Sequence, residues 1–348
     1  MADHPKVGKI DLPVFEALLQ TRLGHPDARV KVGPRTGVDA AVLEIGGRAV
    51  VIAEDPIFPA AGLPLDTFGW FTMHIGASDV AVMGVKPEFA TYSLLMPPGT
   101  PLGDFDLITE SIHRAALELE IAIIGGHTGY YPVVTVPIIG GITVIGTGDP
   151  AQVVTPAGAR PGDAVLMTKG PAIEATGLLA VLYQAELLAA FGEAITAAAL
   201  ARCQEITVVK DALTAHAAGP VTAMHDATEG GVLGGLWEIA EASGVGMEIE
   251  EALMPWPPEV EALCGLLAMD PLAAIAEGTL LIAAPEAFVG AIIQALAEAG
   301  IACARIGEVI ADTGRRVIRR RDGTTEKLAV PAEDPFWPAF FRGVEKSG

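Results

Sequence analysis

Residues 225–235, His-Asp-Ala-Thr-Glu-Gly-Gly-Val-Leu-Gly-Gly, constrain this chain more than any other stretch. An apolar strand at 221–225 runs into them and a helix at about 229–243 leaves them, which puts Asp226, Gly230 and Gly231 at a strand-to-helix turn. Backbone N–H groups at a helix start have no intrahelical partner, and glycines let a ligand approach them. The segment can therefore hold a phosphate or a metal–phosphate pair. It can also be self-sufficient, because Asp226 and Glu229 have the spacing of a capping box. Residues elsewhere have to decide between the two.

Charge narrows the class of ligand. Lys and Arg number 22 against 43 Asp and Glu, a net charge of −21, which repels nucleic acid and anionic membranes at long range. The basic cluster Arg315, Arg316, Arg319, Arg320 and Arg321 flanks Val317-Ile318 and ends at Asp322-Gly323, so it reads as a solvated hairpin. An acidic protein that takes an anionic substrate needs a divalent cation between its carboxylates and the phosphate, which directs attention to acids near glycines. No apolar run reaches the ~18 residues of a membrane span, and the N-terminal residues lack the apolar core of a signal peptide. Cys203, Cys264 and Cys303 lie far apart among alanines and leucines and read as reduced core thiols, so a cytoplasmic protein is expected.

With 348 residues the chain is long for one core and sufficient for two. Helices are expected at about 12–23, 66–84 and 104–118, with Asp66 as an N-cap. Strands are expected at 38–45, 48–54, 121–124 and 133–147, the last with a bend or bulge at Gly140-Gly141. A turn-rich stretch at 148–163 divides the chain into domains 1–155 and 156–330, with a tail at 331–348. The second half carries strands at 164–168, 221–225, 278–283 and 302–310. Helices fall at 172–190, 193–201, 205–217, 229–243 and 286–299. The tail aromatics Phe336, Trp337, Phe340 and Phe341 are expected to dock. Irregular alternation with hairpin signals indicates an α+β fold.

Four aspartates stand at turns or element ends. Asp39 lies between a glycine loop and a strand, Asp55 ends a strand before Pro56, Asp79 sits inside an apolar helix, and Asp226 follows strand 221–225. Mg²⁺ takes hard oxygen ligands, one or two carboxylates plus water and phosphate oxygens, and acids at strand ends share one sheet edge. Asp39 and Asp55 also suit ordinary turns. A buried Asp79 needs a partner, and nearby sequence offers only Lys86 and Ser78. His127, in the glycine loop Gly125-Gly126-His127-Thr128-Gly129, is a further candidate, whereas His74 and His225 read as satisfied core residues.

Taken in order, these segments resemble the motifs of one superfamily. Gly37-Val38-Asp39-Ala40-Ala41-Val42 is similar to the Gly-Asp-Asp-Ala-Ala-Val segment of the AIR synthase (PurM-like) superfamily. Ser78-Asp79-Val80-Ala81-Val82-Met83-Gly84-Val85-Lys86-Pro87 resembles its Asn-Asp-Ile-Ala-x-Met-Gly-Ala-x-Pro, with Ser78 in the Asn position. Gly125-Gly126-His127-Thr128 and His225-Asp226-Ala227-Thr228-Glu229-Gly230-Gly231 resemble its Gly-Gly-His/Asp-Thr and Asp-Ala-Thr-x-Gly-Gly motifs. The resemblance implies an α/β N-terminal domain that forms a β-barrel at a homodimer interface, and a C-terminal α/β domain, with ATP and Mg²⁺ in the cleft between. It implies Asp39, Asp55, Asp79 and Asp226 as metal ligands, and Asp79, His127 and Asp226 as catalytic. It further implies Gly37, Gly125, Gly126, His127, Thr128, Lys169, Glu229, Gly230 and Gly231 as cofactor contacts.

The shared chemistry it implies is ATP-dependent activation of an oxygen through a phosphorylated intermediate, or phosphoryl transfer to a small molecule. The superfamily spans several enzymes. No cysteine stands among residues 343–348 for the thiol chemistry of the hydrogenase maturation factor HypE, and the first cysteine is Cys203, where selenophosphate synthetase has one near its N-terminus. Glu54-Asp55-Pro56-Ile57 replaces the Thr-Asp-Thr of thiamine-monophosphate kinase. The expectation is a HypE-like, AIR synthase-related protein. Two alternatives stand beside it: a catalytically silent nucleotide-binding scaffold, and a maturation protein with a protein partner.

Overall fold

The computed structural model describes residues 7–10 and 12–347. Two mixed sheets and their helices make an α+β fold. The first sheet comprises β1 (Val30–Val32), β2 (Ala41–Ile45), β3 (Arg48–Ile57), β4 (Pro87–Met96), β5 (Ala122–Tyr130) and β6 (Ile138–Gly148), in the order β1-β2-β3-β6-β4-β5. Only β4 and β5 run parallel. Ala49, Val51 and Ala53 of β3 are buried and alternate with partly exposed neighbours, as a strand with one covered face requires. The sheet is open, with β1 and β5 at its edges, so no closed barrel forms among the described residues.

The second sheet comprises β7 (Asp163–Thr168), β8 (Ala223–Asp226), β9 (Gly246–Glu250), β10 (Leu280–Pro285), β11 (Cys303–Ile310), β12 (Arg316–Arg319) and β13 (Thr325–Lys327), ordered β13-β12-β9-β11-β7-β10-β8. Every residue of β7 is buried, because this strand is central and covered on both faces. Beside the short α1 (Leu12–Val14), the helices of the first half are α2 (Leu65–Ala81) and α3 (Leu102–Glu118). Those of the second half are α4 (Ile173–Leu182), α5 (Gln184–Ala201), α6 (Val209–Ala218), α7 (Gly231–Ser243), α8 (Pro258–Leu266), α9 (Glu286–Glu298) and α10 (Phe336–Ser347).

Helix α2 joins the halves. It is apolar around its whole circumference, with Phe68, Phe71, Met73, Ala77, Val80 and Ala81 buried, because it packs on β3, β6 and α3 on one side and on α6 and β8 on the other. One continuous core therefore runs from Val51 and Ile142 of the first sheet to Leu166, Met224 and Ile282 of the second. The tail docks as expected: Phe336 and Ala339 are buried against α4 and α8, and the Tyr183 hydroxyl donates to the Ala339 carbonyl at 2.7 Å.

Several expected elements shift. The bulge at Gly140-Gly141 is present, since pairing slips between Ser93 and Leu94 on β4 and between Asp55 and Ile57 on β3. Pro56 does not end its strand, because Ile57 resumes pairing with Ile139 beyond that bulge. The expected loop Gly125–Gly129 is instead the body of β5. Gly126 is needed there because a Cβ would stand 2.1 Å from the Tyr92 carbonyl oxygen, at φ +141°. Strands β1, β4 and β9 and helix α8 were not expected, and α1 with its π turn stops at Leu19, short of residue 23.

Candidate functional site

The packing of α2 against both β3 and β8 brings the four aspartates together. Asp39 precedes β2, Asp55 lies on β3, Asp79 on the last turns of α2, and Asp226 ends β8. Asp79 interacts with Asp55, Asp226 and Asp39, and burial followed by these three charges pushes its pKa well above the carboxylate range. Asp55 is also raised, by burial first, although a hydrogen bond with Asp79 pulls the other way.

His225 ties this cluster to α7. Its Nδ1 lies 2.8 Å from Asp39 Oδ2 and its Nε2 2.7 Å from Glu238 Oε2. Burial alone would lower the imidazole pKa, but Asp39 and Glu238 outweigh it and hold the ring protonated, donating from both nitrogens. Burial pushes Asp39 up to about 6, against the pull of His225 and with a further push from Asp226. The histidine is thus a satisfied buried residue and at the same time a fixed positive charge in the site.

Asp226 is 1% exposed, and neither of its carboxylate oxygens has a hydrogen-bond partner; Glu277 Oε1 is likewise unpartnered. A protonated Glu277 hydrogen-bonds Asp226, whereas when both are ionised neither can donate. Glu277 is raised well above its ordinary value by burial and by Asp226 and Glu174, and Glu174 is pushed up to about 8, burial again being the main cause. Buried carboxylates without partners call for a cation. Donor atoms of Asp39, His225 and Asp226 lie within 4.8 Å of one another. Both His225 nitrogens are already engaged, so the available donors are the hard oxygens of Asp39 and Asp226, with Asp55 and Asp79 beside them. That donor set fits Mg²⁺ or Mn²⁺.

The opening motif works differently from either sequence reading. Asp226 and Glu229 make no capping box: the N-cap of α7 is Gly230, at φ +80°, and no side chain of the motif caps it. Instead Asp334, from the C-terminal tail, accepts the Gly230 N–H at 2.9 Å. The Gly231 N–H goes to the Thr228 carbonyl and that of Leu233 to the Leu272 carbonyl. Gly230 and Gly231 therefore do not offer bare amides to a phosphate here, because Asp334 of the tail and the Thr228 carbonyl have taken them. A Cβ on Gly231 would stand 2.5 Å from the Ala274 carbonyl oxygen, which is why glycine stands there. Glu229 accepts the Lys9 backbone N–H at 2.5 Å and the Trp337 indole N–H at 2.7 Å, clasping both ends of the chain.

Two other expected contacts are placed away from the cluster. The Lys169 ammonium points inward to the carbonyls of Thr207 (2.6 Å) and Gly278 (2.8 Å) and pairs with Asp211 at 3.1 Å. Those partners use up its donors, so Lys169 is a structural strut rather than a phosphate contact. His127 lies on edge strand β5 with Gly125 and Thr128, its Nε2 2.5 Å from the Tyr131 hydroxyl. That edge is three strand spacings, roughly 14 Å, from β3 and Asp55. Gly37, at φ +70°, does reach the site, where a Cβ would press on Glu238 at 3.1 Å.

Sequence reasoning missed Lys9 and Glu238. The expected partners of Asp79 are used elsewhere: Lys86 pairs with Glu120, and the Ser78 hydroxyl donates to the His74 carbonyl and accepts the Val208 N–H. Besides protonated His225, the cluster has a second positive charge close to it in Lys9, whose Nζ donates to Thr228 Oγ1 at 2.8 Å. Burial would lower the Lys9 pKa, but Glu238, Asp79, Asp226 and Asp39 raise it above the ordinary lysine value. A cavity of about 430 Å³ opens beside it, walled by Val7, Ile10, Glu229, Glu238, Trp337 and Phe341 among others. The arginine cluster is paired throughout, for example Arg315 with Glu248, Arg316 with Glu241 and Arg321 with Glu261, on the expected hairpin.

Residues 37–148 match the family model for the AIR synthase related protein N-terminal domain, and residues 160–320 that for its C-terminal domain. Carbamoyl dehydratase HypE of Cupriavidus necator is 32% identical over 295 residues, spanning 82% of this chain and 80% of that protein. A crystal structure of the hydrogenase maturation protein HypE in complex with ATP shares the fold, with a TM-score of 0.68 and 22% identity over 96% of this chain and 98% of that one. HypE in a HypE–HypF complex aligns with a TM-score of 0.71 and 22% identity, over 91% and 99%. Two domain models in the right order and a full-length relative agree: this chain belongs to the AIR synthase-related family of enzymes.

Proposed function

We infer that the protein binds ATP with Mg²⁺ at the Asp39–Asp55–Asp79–Asp226 cluster, and either activates an oxygen by phosphorylation or transfers a phosphoryl group to a small molecule. The observation that carries this reading is Asp226, a fully buried carboxylate that among the described residues has no donor other than the carboxyl of Glu277 when that group is protonated, close to three more aspartates. A bound divalent cation supplies charge neutralisation at the phosphates. The chain's own residues do the rest. His225, clamped between Asp39 and Glu238, fixes the orientation of Asp39, and α2 fixes Asp79 against Asp55, so the carboxylates are positioned before any ligand arrives. The ATP-bound HypE structure supports nucleotide binding through the shared fold.

Homodimer formation belongs to the same proposal. Strand β5 is an exposed edge, and Ile123, Ile124 and Tyr130 on it, with Val133 beyond it at 90% exposure, leave an apolar border open to a second copy. Cys203 is pushed up to about 11, and Cys264 and Cys303 to about 12, by burial; such thiols suit a reduced, cytoplasmic protein and carry no chemistry in this reading.

Calorimetric titration of the full chain with Mg-ATP tests the proposal. Binding heat and a raised melting temperature are expected, and no heat with no thermal shift at millimolar nucleotide would reject it. Binding without ADP release across candidate acceptors would favour the silent-scaffold alternative.

A further inference from the structure

We propose that the N-terminal segment 7–10 is an internal strap whose Lys9 ammonium occupies the acidic cleft as a tethered counter-cation, which a divalent metal ion must displace in order to bind. The inference rests on the reading of the cleft as a metal site and adds a regulatory element to it.

Among the described residues, Lys9 Nζ makes one hydrogen bond, to Thr228 Oγ1, next to Asp226. Besides the four carboxylates that raise its own pKa, Asp55 and Glu174 feel its charge. Among the described residues the ammonium forms no direct ion pair with any of these acids; it is anchored beside them through Thr228. The strap is held by its backbone: the Lys9 N–H donates to Glu229, which also accepts from Trp337 of the tail. Gly8 permits this approach, since at φ +108° a Cβ would meet Glu229 Oε1 at 2.1 Å. Residues 7–10, Lys9 included, are exposed, and Val7, Lys9 and Ile10 line the 430 Å³ cavity. An exposed segment held by a few polar contacts opens at low cost, whereas its charge is what the cleft requires when no metal is present. A metal ion and an ammonium cannot both neutralise the same oxygens, so the two compete.

Titration of the full chain with Mn²⁺ alone, without nucleotide, tests the strap. Lys9→Met is expected to tighten Mn²⁺ binding by about tenfold, because the competitor is gone. Lys9→Arg retains the charge and is expected to bind as the wild type does. Gly8→Val dislodges the strap while keeping the lysine, and is expected to tighten binding as well. In metal-free buffer Lys9→Met should melt below the wild type, and saturating Mn²⁺ should close or reverse that gap. Equal Mn²⁺ affinity in all four proteins overturns the strap and leaves the metal site standing. Weaker Mn²⁺ binding in Lys9→Met overturns it too, and makes Lys9 a supporting ligand of the site. If no protein binds Mn²⁺, the strap and the metal reading fall together.

Discussion

Lys169 and Lys9 each carry their charge toward buried carboxylates, and they are partnered in opposite ways. Lys169 sits in a closed socket, with one buried aspartate, Asp211, and backbone carbonyls that absorb its protons. Lys9 reaches a cleft where acids outnumber cations, and it donates one side-chain hydrogen bond. The first arrangement is complete and holds a fold together. The second is incomplete until something else binds. Polar satisfaction, more than residue type or motif membership, separates the structural lysine from the one at the site.

The largest effect should come from breaking the complete socket. Lys169→Met leaves Asp211, 2% exposed, as an uncompensated buried charge and should cost about 3–5 kcal/mol in denaturant unfolding. In the cleft the same kind of change should act on ligands. Asp226→Asn removes an unpartnered buried charge, so stability should hold or rise while Mg-ATP affinity falls about 100-fold, roughly 2.7 kcal/mol by calorimetry. A large loss of stability in Asp226→Asn with intact binding would reverse the comparison.

The pH dependence of the metal-free protein sharpens the contrast further. Glu174 rises to about 8 and Asp39 to about 6 in the fold, above their ordinary values of 4.5 and 3.8. A raised folded pKa means that the native state holds the proton more tightly. The associated stability is full below the unfolded pKa and is lost as pH climbs through the folded one. Melting temperature should therefore drop by several degrees between pH 5 and pH 8 in chelator, and Glu174→Gln should flatten the upper part of that fall. Smaller still, Asp334→Ala removes the cap on Gly230 and should cost about 1 kcal/mol in thermal unfolding. Arg315→Ala on the exposed hairpin breaks a solvent-screened pair and should leave the melting temperature essentially unchanged, with Mg-ATP binding untouched.

Much of the fold was legible because its signals are local. Alternation in residues 48–54, the apolar run Ala164–Met167 within β7 and the glycine pair at the β6 bulge each follow from side-chain periodicity or backbone freedom within a few residues. The same local logic misled at Gly125–Gly129, where glycines that look like a loop serve close approach to β4. It misled again at Glu229, whose capping-box spacing is real while the cap on Gly230 is delivered by Asp334, 104 residues further along the chain. At the site, the four aspartates could be picked out one by one as acids in unusual places. Lys9 could not, since Gly8-Lys9 in a polar N-terminal stretch carries no periodicity and no motif.

The sequence alone therefore determined the family, the α+β class and the set of acids that have no ordinary reason to sit where they do. Those depend on residue order and on local chemistry, which the chain carries in itself. Tertiary structure alone decided which of these groups are satisfied. It sent Lys169 into a socket, left His127 on an outer edge, gave the start of α7 to Asp334, and placed Lys9 among the aspartates. The physical reason is that hydrogen bonding and charge compensation are settled between residues distant in sequence, where packing brings two surfaces together, and no spacing rule along the chain records that meeting.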